Sequence, residues 1–155
     1  MARQSSGSSH SALSRTDGIA ESWSDFLLLV GRVLLGWLFL ASAYAKLGNI
    51  AGTTAYFNGF GMSPPEAYAW FAGIFELVVG VALILGFATR YAALAIFIWV
   101  LVATAIAHRY WTYPAAAQGA QYNNFLKNLA IMGGALYMFV FGAGRYLVDA
   151  TLSKR

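Results

Sequence analysis

The 155-residue chain contains no cysteine and very few charged residues. Without cysteine, this chain forms no disulfide bond, no CxxC redox motif and no iron–sulfur cluster of its own. Charged residues make up 10% of the sequence, whereas soluble domains carry about 25%. Hydrophobic residues make up 59%, and the mean hydropathy is +0.60. This composition is that of an integral membrane protein with the lipid bilayer as its surroundings, and it gives no support to nucleic-acid binding.

Four apolar runs are long enough to cross a bilayer as helices. They are Phe26–Ala45, Ala67–Ala88, Tyr91–Ala107 and Phe125–Gly142. A hydrocarbon core of about 30 Å needs about 20 helical residues, and interfacial aromatic residues lengthen the last two runs. We therefore predict an all-α fold, a four-helix transmembrane bundle over residues 26–149, with no room for a second domain.

Polar segments flank this membrane domain. Residues 1–25 are rich in serine and lack the apolar core of a secretory signal, so we expect a flexible cytoplasmic tail there. Residues 150–155 form a short basic tail. The side with both termini carries more Lys and Arg than the side with Lys46, Arg109 and Lys127, which predicts that both termini are cytoplasmic. The loops at 47–65 and 112–124 are expected to be irregular, with Tyr56, Phe57 and Phe60 on the membrane surface.

A single carboxylate, Glu76, lies near the middle of the second span. An acid at this depth costs several kcal/mol unless it is neutralised or paired, so it must face a partner inside the bundle. Gly73 and Gly80 share its helical face and would let another helix approach closely. In the first span, Arg32, Gly36 and Lys46 belong to one stripe that faces the bundle.

Depth estimates make Arg32 the first candidate for a buried ion pair with Glu76, and Lys127 the competing partner. Such a pair could also serve only to fix the packing register of the helices. The functional interpretation is a pocket that opens outward between the helices. It predicts Glu76 and His108 as catalytic residues that handle protons, and no metal site. The predicted ligand-binding residues are Lys46, Lys127, Arg32, Thr104 and Asn124.

The cations in this pocket would favour an anion, or the polar head of a quinone as a non-covalent cofactor. The competing interpretation is structural, because Lys46, His108, Arg109 and Lys127 all lie near a membrane interface, where such residues commonly act as anchors.

Several short motifs in order resemble the DoxX family of small bacterial membrane proteins. They are Arg32…Gly36…Lys46, Glu76-x-x-x-Gly80, Gly86-Phe87-Ala88-Thr89-Arg90, His108, Asn124-Phe125-Leu126-Lys127-Asn128-Leu129-Ala130 and Gly142-Ala143-Gly144-Arg145-Tyr146-x-x-Asp149. The resemblance covers about residues 26–149. Ala143 stands where the family pattern has proline, and Val148 follows Leu147 where a Ser-Leu pair is usual; both departures fall in a surface turn.

The resemblance implies a four-helix bundle in the bacterial inner membrane. Its relatives are linked to thiosulfate:quinone oxidoreduction, to complexes that detoxify oxidants and to quinone stress. Three hypotheses follow. The first is a subunit of a quinone-linked redox system that takes its electrons from a protein partner. The second is a non-catalytic scaffold or accessory subunit of a larger complex or homo-oligomer, and the third is a small anion transporter.

Overall fold

The computed structural model describes residues 9–146, with side chains from residue 16 onward. The described chain is helical, with short connections and no strand. Its helices are α1 (Ser9–Gly48), α2 (Ile50–Asn58), α3 (Pro65–Leu85), α4 (Thr89–Ala107) and α5 (Ala115–Phe141), and a 3₁₀ turn (Tyr110–Thr112) precedes α5. The closing segment at 147–149, the basic tail at 150–155 and the first eight residues of the predicted N-terminal tail lie outside the described residues.

Four of these helices are long and apolar enough to span a membrane in the part of the chain that the structure describes. They are Thr16–Gly48 within α1, then α3, α4 with the 3₁₀ turn, and α5. Their outward faces carry large apolar side chains such as Leu34, Trp37, Val78 and Val140, each more than half exposed. Exposed apolar faces of this kind suit lipid. The all-α prediction of four spans is confirmed.

Two glycines set the closest helix contact, between α1 and α3. A Cβ on Gly36 would lie 2.8 Å from the Gly80 carbonyl oxygen, and one on Gly80 would lie 3.0 Å from the Gly36 carbonyl oxygen. Gly36 and Gly80 therefore face each other across an antiparallel pair, the small-residue approach expected between membrane helices. The predicted stripe on α1 is confirmed, since Arg32 and Gly36 are buried, and Phe39 and Ala43, which continue the same face toward Lys46, are at most 3% exposed.

Helix ends follow the local sequence. α3 begins at Pro65, where proline costs no helical hydrogen bond because the N–H groups of a first turn have no acceptor within the helix. It ends before Gly86, which adopts a left-handed conformation with a φ of 69°. The three residues 86–88 then lead into α4, which makes α3 and α4 antiparallel neighbours. Leu83 and Ile96 are fully buried between these helices and α5. We call the end where α1 and α4 stop the pocket end, and the end with Gly86 and Gly142 the terminal end.

Three segments outside the predicted spans are helical. Residues 9–25 continue α1, residues 50–58 form α2, and α5 begins at Ala115 rather than near Phe125. The sequence predicts a loop for the polar 112–124 segment, because its Gln and Asn residues interrupt the apolar run. These residues instead occupy the first turns of a 27-residue helix whose apolar part lies deeper.

Candidate functional site

A cavity of about 680 Å³ opens between the helices at the pocket end. α2 forms one side of it, because Thr53, Tyr56 and Phe57 line the cavity together with Phe60 just beyond the helix. These aromatic residues, expected at the membrane surface, also line the cavity. α2 packs against α3 and so turns its aromatic side chains toward the cavity.

The floor of the cavity is an ion pair between α1 and α3. Lys46 Nζ lies 2.7 Å from Glu76 Oε2, and the side chains are 25% and 6% exposed. Lys46 also donates to Ser42 Oγ at 2.6 Å, one helical turn away. The second carboxylate oxygen, Glu76 Oε1, accepts a 3.1 Å hydrogen bond from Trp99 Nε1 on α4. Both oxygens of the buried carboxylate are therefore satisfied, as burial at this depth requires.

The predicted Arg32–Glu76 pair is wrong, for a geometric reason. With Gly36 opposite Gly80, the Cα atoms of Arg32 and Glu76 lie about 12 Å apart along the helix axes. Side chains lean toward the N-terminus of their own helix. Arg32 on α1 therefore leans toward the terminal end, whereas Glu76 on the antiparallel α3 leans toward the pocket end. Lys46 lies about 9 Å beyond Glu76 and leans back toward it.

Arg32 lies outside the cavity, at the terminal end of the bundle. Arg32 is 2% exposed, and its guanidinium donates to the backbone carbonyls of Ala143, at 3.0 Å, and of Tyr146. The adjacent turn is also held by Asp25, which accepts from the Arg145 backbone N–H at 2.9 Å. Arg32 thus fixes the chain that follows α5, and it does not join the other predicted ligand-binding residues.

His108 and Lys127 also line the cavity, with His108 at the end of α4. His108 Nδ1 is 2.8 Å from Gln121 Oε1, which ties the end of α4 to the first turns of α5. Lys127 Nζ donates to Asn124 Oδ1 at 3.1 Å, and no carboxylate among the described residues pairs with it. The prediction that Lys127 competes for Glu76 is therefore wrong.

Thr104 and Asn128 form a buried hydrogen bond between α4 and α5. Asn128 Nδ2 donates to Thr104 Oγ1 at 2.8 Å, and Thr104 in turn donates to the Val100 carbonyl. Asn128 lines the cavity, while Thr104 lies behind it. Of the seven predicted site residues, the structure brings Glu76, His108, Lys46 and Lys127 to one cavity, places Thr104 and Asn124 one hydrogen bond away, and separates Arg32.

Sequence reasoning missed Trp99, Ser42 and Asn128. A usable signal for Trp99 was its position well inside the third span, because a buried indole N–H requires an acceptor and Glu76 was the acceptor at that depth. Ser42 stands four residues before Lys46 and so shares its face. The contribution of α2 had no comparable signal, since its residues resemble those of an interfacial loop.

Tyr56 is the cavity residue of α2 with a perturbed acidity. It is half-buried, and that partial burial raises the pKa of its phenol; the nearby Tyr113 adds a smaller effect in the same direction. The hydroxyl is therefore a neutral donor at physiological pH. Its ring packs edge-on against Phe60, with the centroids 4.9 Å apart.

The sequence of the spans that build this cavity matches a known family model. The DoxX family model covers residues 27–109, from the start of the apolar part of α1 to just beyond His108. The chain belongs to the DoxX family. Inner membrane protein YphA of Escherichia coli K12 is 30% identical over 123 residues, which are 79% of this chain and 88% of YphA. Inner membrane protein YqjF of the same strain is 31% identical over 131 residues, 84% of this chain and 95% of YqjF.

A more distant relative is the ER-derived vesicles protein ERV29 of Saccharomyces cerevisiae. It is 23% identical over 124 residues, and these make up 80% of this chain but 33% of the yeast protein. No solved structure gives a significant match. Membership of the DoxX family, with four spans and two relatives of the inner membrane, makes this chain a multi-pass protein of the bacterial inner membrane.

Proposed function

We propose that this chain is the quinone-binding subunit of a membrane redox system, with the head group held in the cavity at the pocket end. The observation that carries the proposal is the hydrogen-bonded cluster of Lys46, Glu76 and Trp99 at the floor of an aromatic-walled cavity of about 680 Å³. Ligand sites of small molecules are typically cavities of about 300–1,000 Å³ with apolar walls and a few placed polar groups.

The lining fits a flat ring with two carbonyl oxygens. Phe39, Phe57, Phe60 and Trp99 supply flat apolar surface. Lys46, at the floor, can donate to one carbonyl oxygen of a bound ring. Lys127 on the wall supplies a second positive charge without a carboxylate partner among the described residues.

The charged groups suit the proton chemistry of such a ligand. A quinone takes up two electrons and two protons when it is reduced to the quinol. Lys46 holds a proton at the floor, and the Glu76 carboxylate, 2.7 Å away, stabilises the ammonium. After Lys46 has given its proton to the ligand, Glu76 can take a proton from water in the cavity and pass it to the amine. Lys127 stabilises negative charge that develops on a carbonyl oxygen. His108 at the end of α4, bonded to Gln121, can exchange protons with water.

The electrons come from a partner protein that carries its own redox centre. This chain has no cysteine with which to ligate a cluster or form a redox disulfide. Its part in the reaction is therefore binding, charge stabilisation and proton delivery.

The test is titration of the purified protein with a tailless dimethoxy-methyl-benzoquinone, followed by calorimetry. We expect saturable binding that weakens about tenfold or more in Glu76→Gln, because the neutral amide no longer holds the Lys46 ammonium at the floor, where it donates to the ligand. Glu66→Gln is the matched control, since Glu66 is exposed in the first turn of the same helix. Absence of saturable binding, or equal binding by the two variants, refutes the proposal.

A second candidate, an accessory subunit without chemistry of its own, is favoured by one observation. The N-terminal half of α1 exposes Ile19 and Trp23, which are 62% and 57% accessible and four residues apart on one helical face. If that face docks a larger complex, a protein partner will co-purify with the wild type and be lost in an Ile19→Ser/Trp23→Ser variant. Binding of the benzoquinone would then be absent from both proteins.

A further inference from the structure

A second cavity, a groove of about 510 Å³, runs between α1 and α5 on the outside of the bundle. On α1 it extends from Leu27 to Leu38, and on α5 from Met138 back to Lys127. Eleven residues of helix on each side give a length of about 16 Å, which is about half of a hydrocarbon core of 30 Å. Its walls are apolar, and Lys127 is the one charged side chain among the described residues that line it.

The glycines of the groove leave it open. A Cβ added to Gly31 or Gly134 would meet no atom within 4 Å, whereas one added to Gly36 would collide with the backbone of α3. The glycines between α1 and α3 therefore bring two helices together, and those between α1 and α5 leave space. α1 and α5 accordingly make few contacts with each other.

The groove is continuous with the cavity at the pocket end. Leu38, Lys127 and Ile131 line both. Lys127 thus lies at the junction, where a polar head in the cavity would meet an apolar chain in the groove.

We infer that the groove holds the hydrocarbon tail of the ligand whose head occupies the cavity, so that the site takes a membrane-borne, long-tailed quinone laterally from the bilayer. This inference rests on the proposed function and names its substrate class. A hydrocarbon chain accounts for the groove better than a helix of a second copy, because the groove joins the cavity through the three residues that line both and so continues the path of a ligand bound there.

The experiment compares two probes with the same head, the tailless dimethoxy-methyl-benzoquinone and its decyl derivative, on the full chain in one detergent. The variant is Gly134→Leu, which puts a side chain into the groove. The matched control is Gly133→Leu, one residue earlier on α5, since Gly133 also has open space at its Cβ but does not line the groove.

We expect the decyl probe to bind the wild type about tenfold more tightly than the tailless probe. The decyl tail moves into the groove from the apolar interior of the micelle, so this gain in affinity comes from packing against the helices and not from leaving water. Gly134→Leu should remove this gain in affinity and leave binding of the tailless probe unaffected, and Gly133→Leu should keep both affinities.

A gain that survives in Gly134→Leu, or is lost equally in Gly133→Leu, overturns the inference. So does a wild-type dimer that Gly134→Leu converts to a monomer, because a second copy would then cover the groove. Failure of the tailless probe to bind any form refutes the proposed function instead.

Discussion

Lys46 and Glu76 form a buried pair because of how their side chains lean. Each points toward the N-terminus of its own helix, and since α1 and α3 are antiparallel the two side chains converge. Trp99 donates a hydrogen bond to the remaining carboxylate oxygen of Glu76. The same rule sends Arg32 away from Glu76, to two backbone carbonyls at the terminal end. At the scale of single residues, side-chain direction therefore decided which cation meets the acid.

Removing both partners of this pair should destabilise the protein less than the two single removals added together. We expect Lys46→Met to lower the free energy of unfolding by about 2–4 kcal/mol, because it leaves a buried carboxylate without its cation. Lys46→Met/Glu76→Gln should lose less than the sum of the single changes, with a coupling of about 1–2 kcal/mol. Reversible unfolding in mixed micelles measures all four corners of the cycle. Additive losses would mean that the pair is not coupled.

At the scale of helices, the α1–α3 contact is the most tightly constrained part of the bundle. Gly36 and Gly80 bring the two backbones together, and Gly73 faces the flexible end of Leu47. This contact sets the register that puts Lys46 above Glu76. The contact between α1 and α5 is loose by comparison.

An alanine scan of the glycines should separate these two contacts. Gly36→Ala should destabilise the protein by about 1–3 kcal/mol, because the new methyl group lies 2.8 Å from the Gly80 carbonyl oxygen and backbone cannot easily move. Gly134→Ala should be neutral or slightly stabilising, since its Cβ meets open space and alanine is the better helix former. Thermal unfolding of the two variants in the same detergent makes the comparison. Equal losses would contradict the close approach.

The sequence predicted the spans and the inward faces well. The apolar runs set the helices, the stripe through Arg32 and Lys46 was recognisable from its spacing, and the glycines around Glu76 indicated a close helix. The sequence could not place α2 or the first turns of α5, because their polar and aromatic residues suit either a helix or an interfacial loop. The sequence also gave the depth of each residue only as a number of residues along its helix, and that number does not determine whether Arg32 or Lys46 reaches the Glu76 carboxylate.

At the scale of the whole molecule, the absence of cysteine makes the orientation directly measurable. Gly18 on α1 and Gly119 on α5 lie near opposite ends of the bundle, and both are exposed with open space at the Cβ. With both termini cytoplasmic, as the charge distribution predicts, a membrane-impermeant maleimide should label Gly119→Cys in intact spheroplasts. It should label Gly18→Cys only after lysis. The reverse labelling pattern would show that both termini are on the periplasmic side instead.

The depth of Glu76 also makes proton binding at the site sensitive to the membrane potential. The carboxylate lies eleven residues beyond Pro65, about 16 Å into the membrane from the pocket end, which is about half of the hydrocarbon thickness. A proton that reaches it from the water at that end therefore crosses about half of the membrane potential. At 100 mV this displacement is worth about 1 kcal/mol. Proton uptake at the cavity floor would then respond to the energised state of the inner membrane, with a sign set by which face the cavity opens toward.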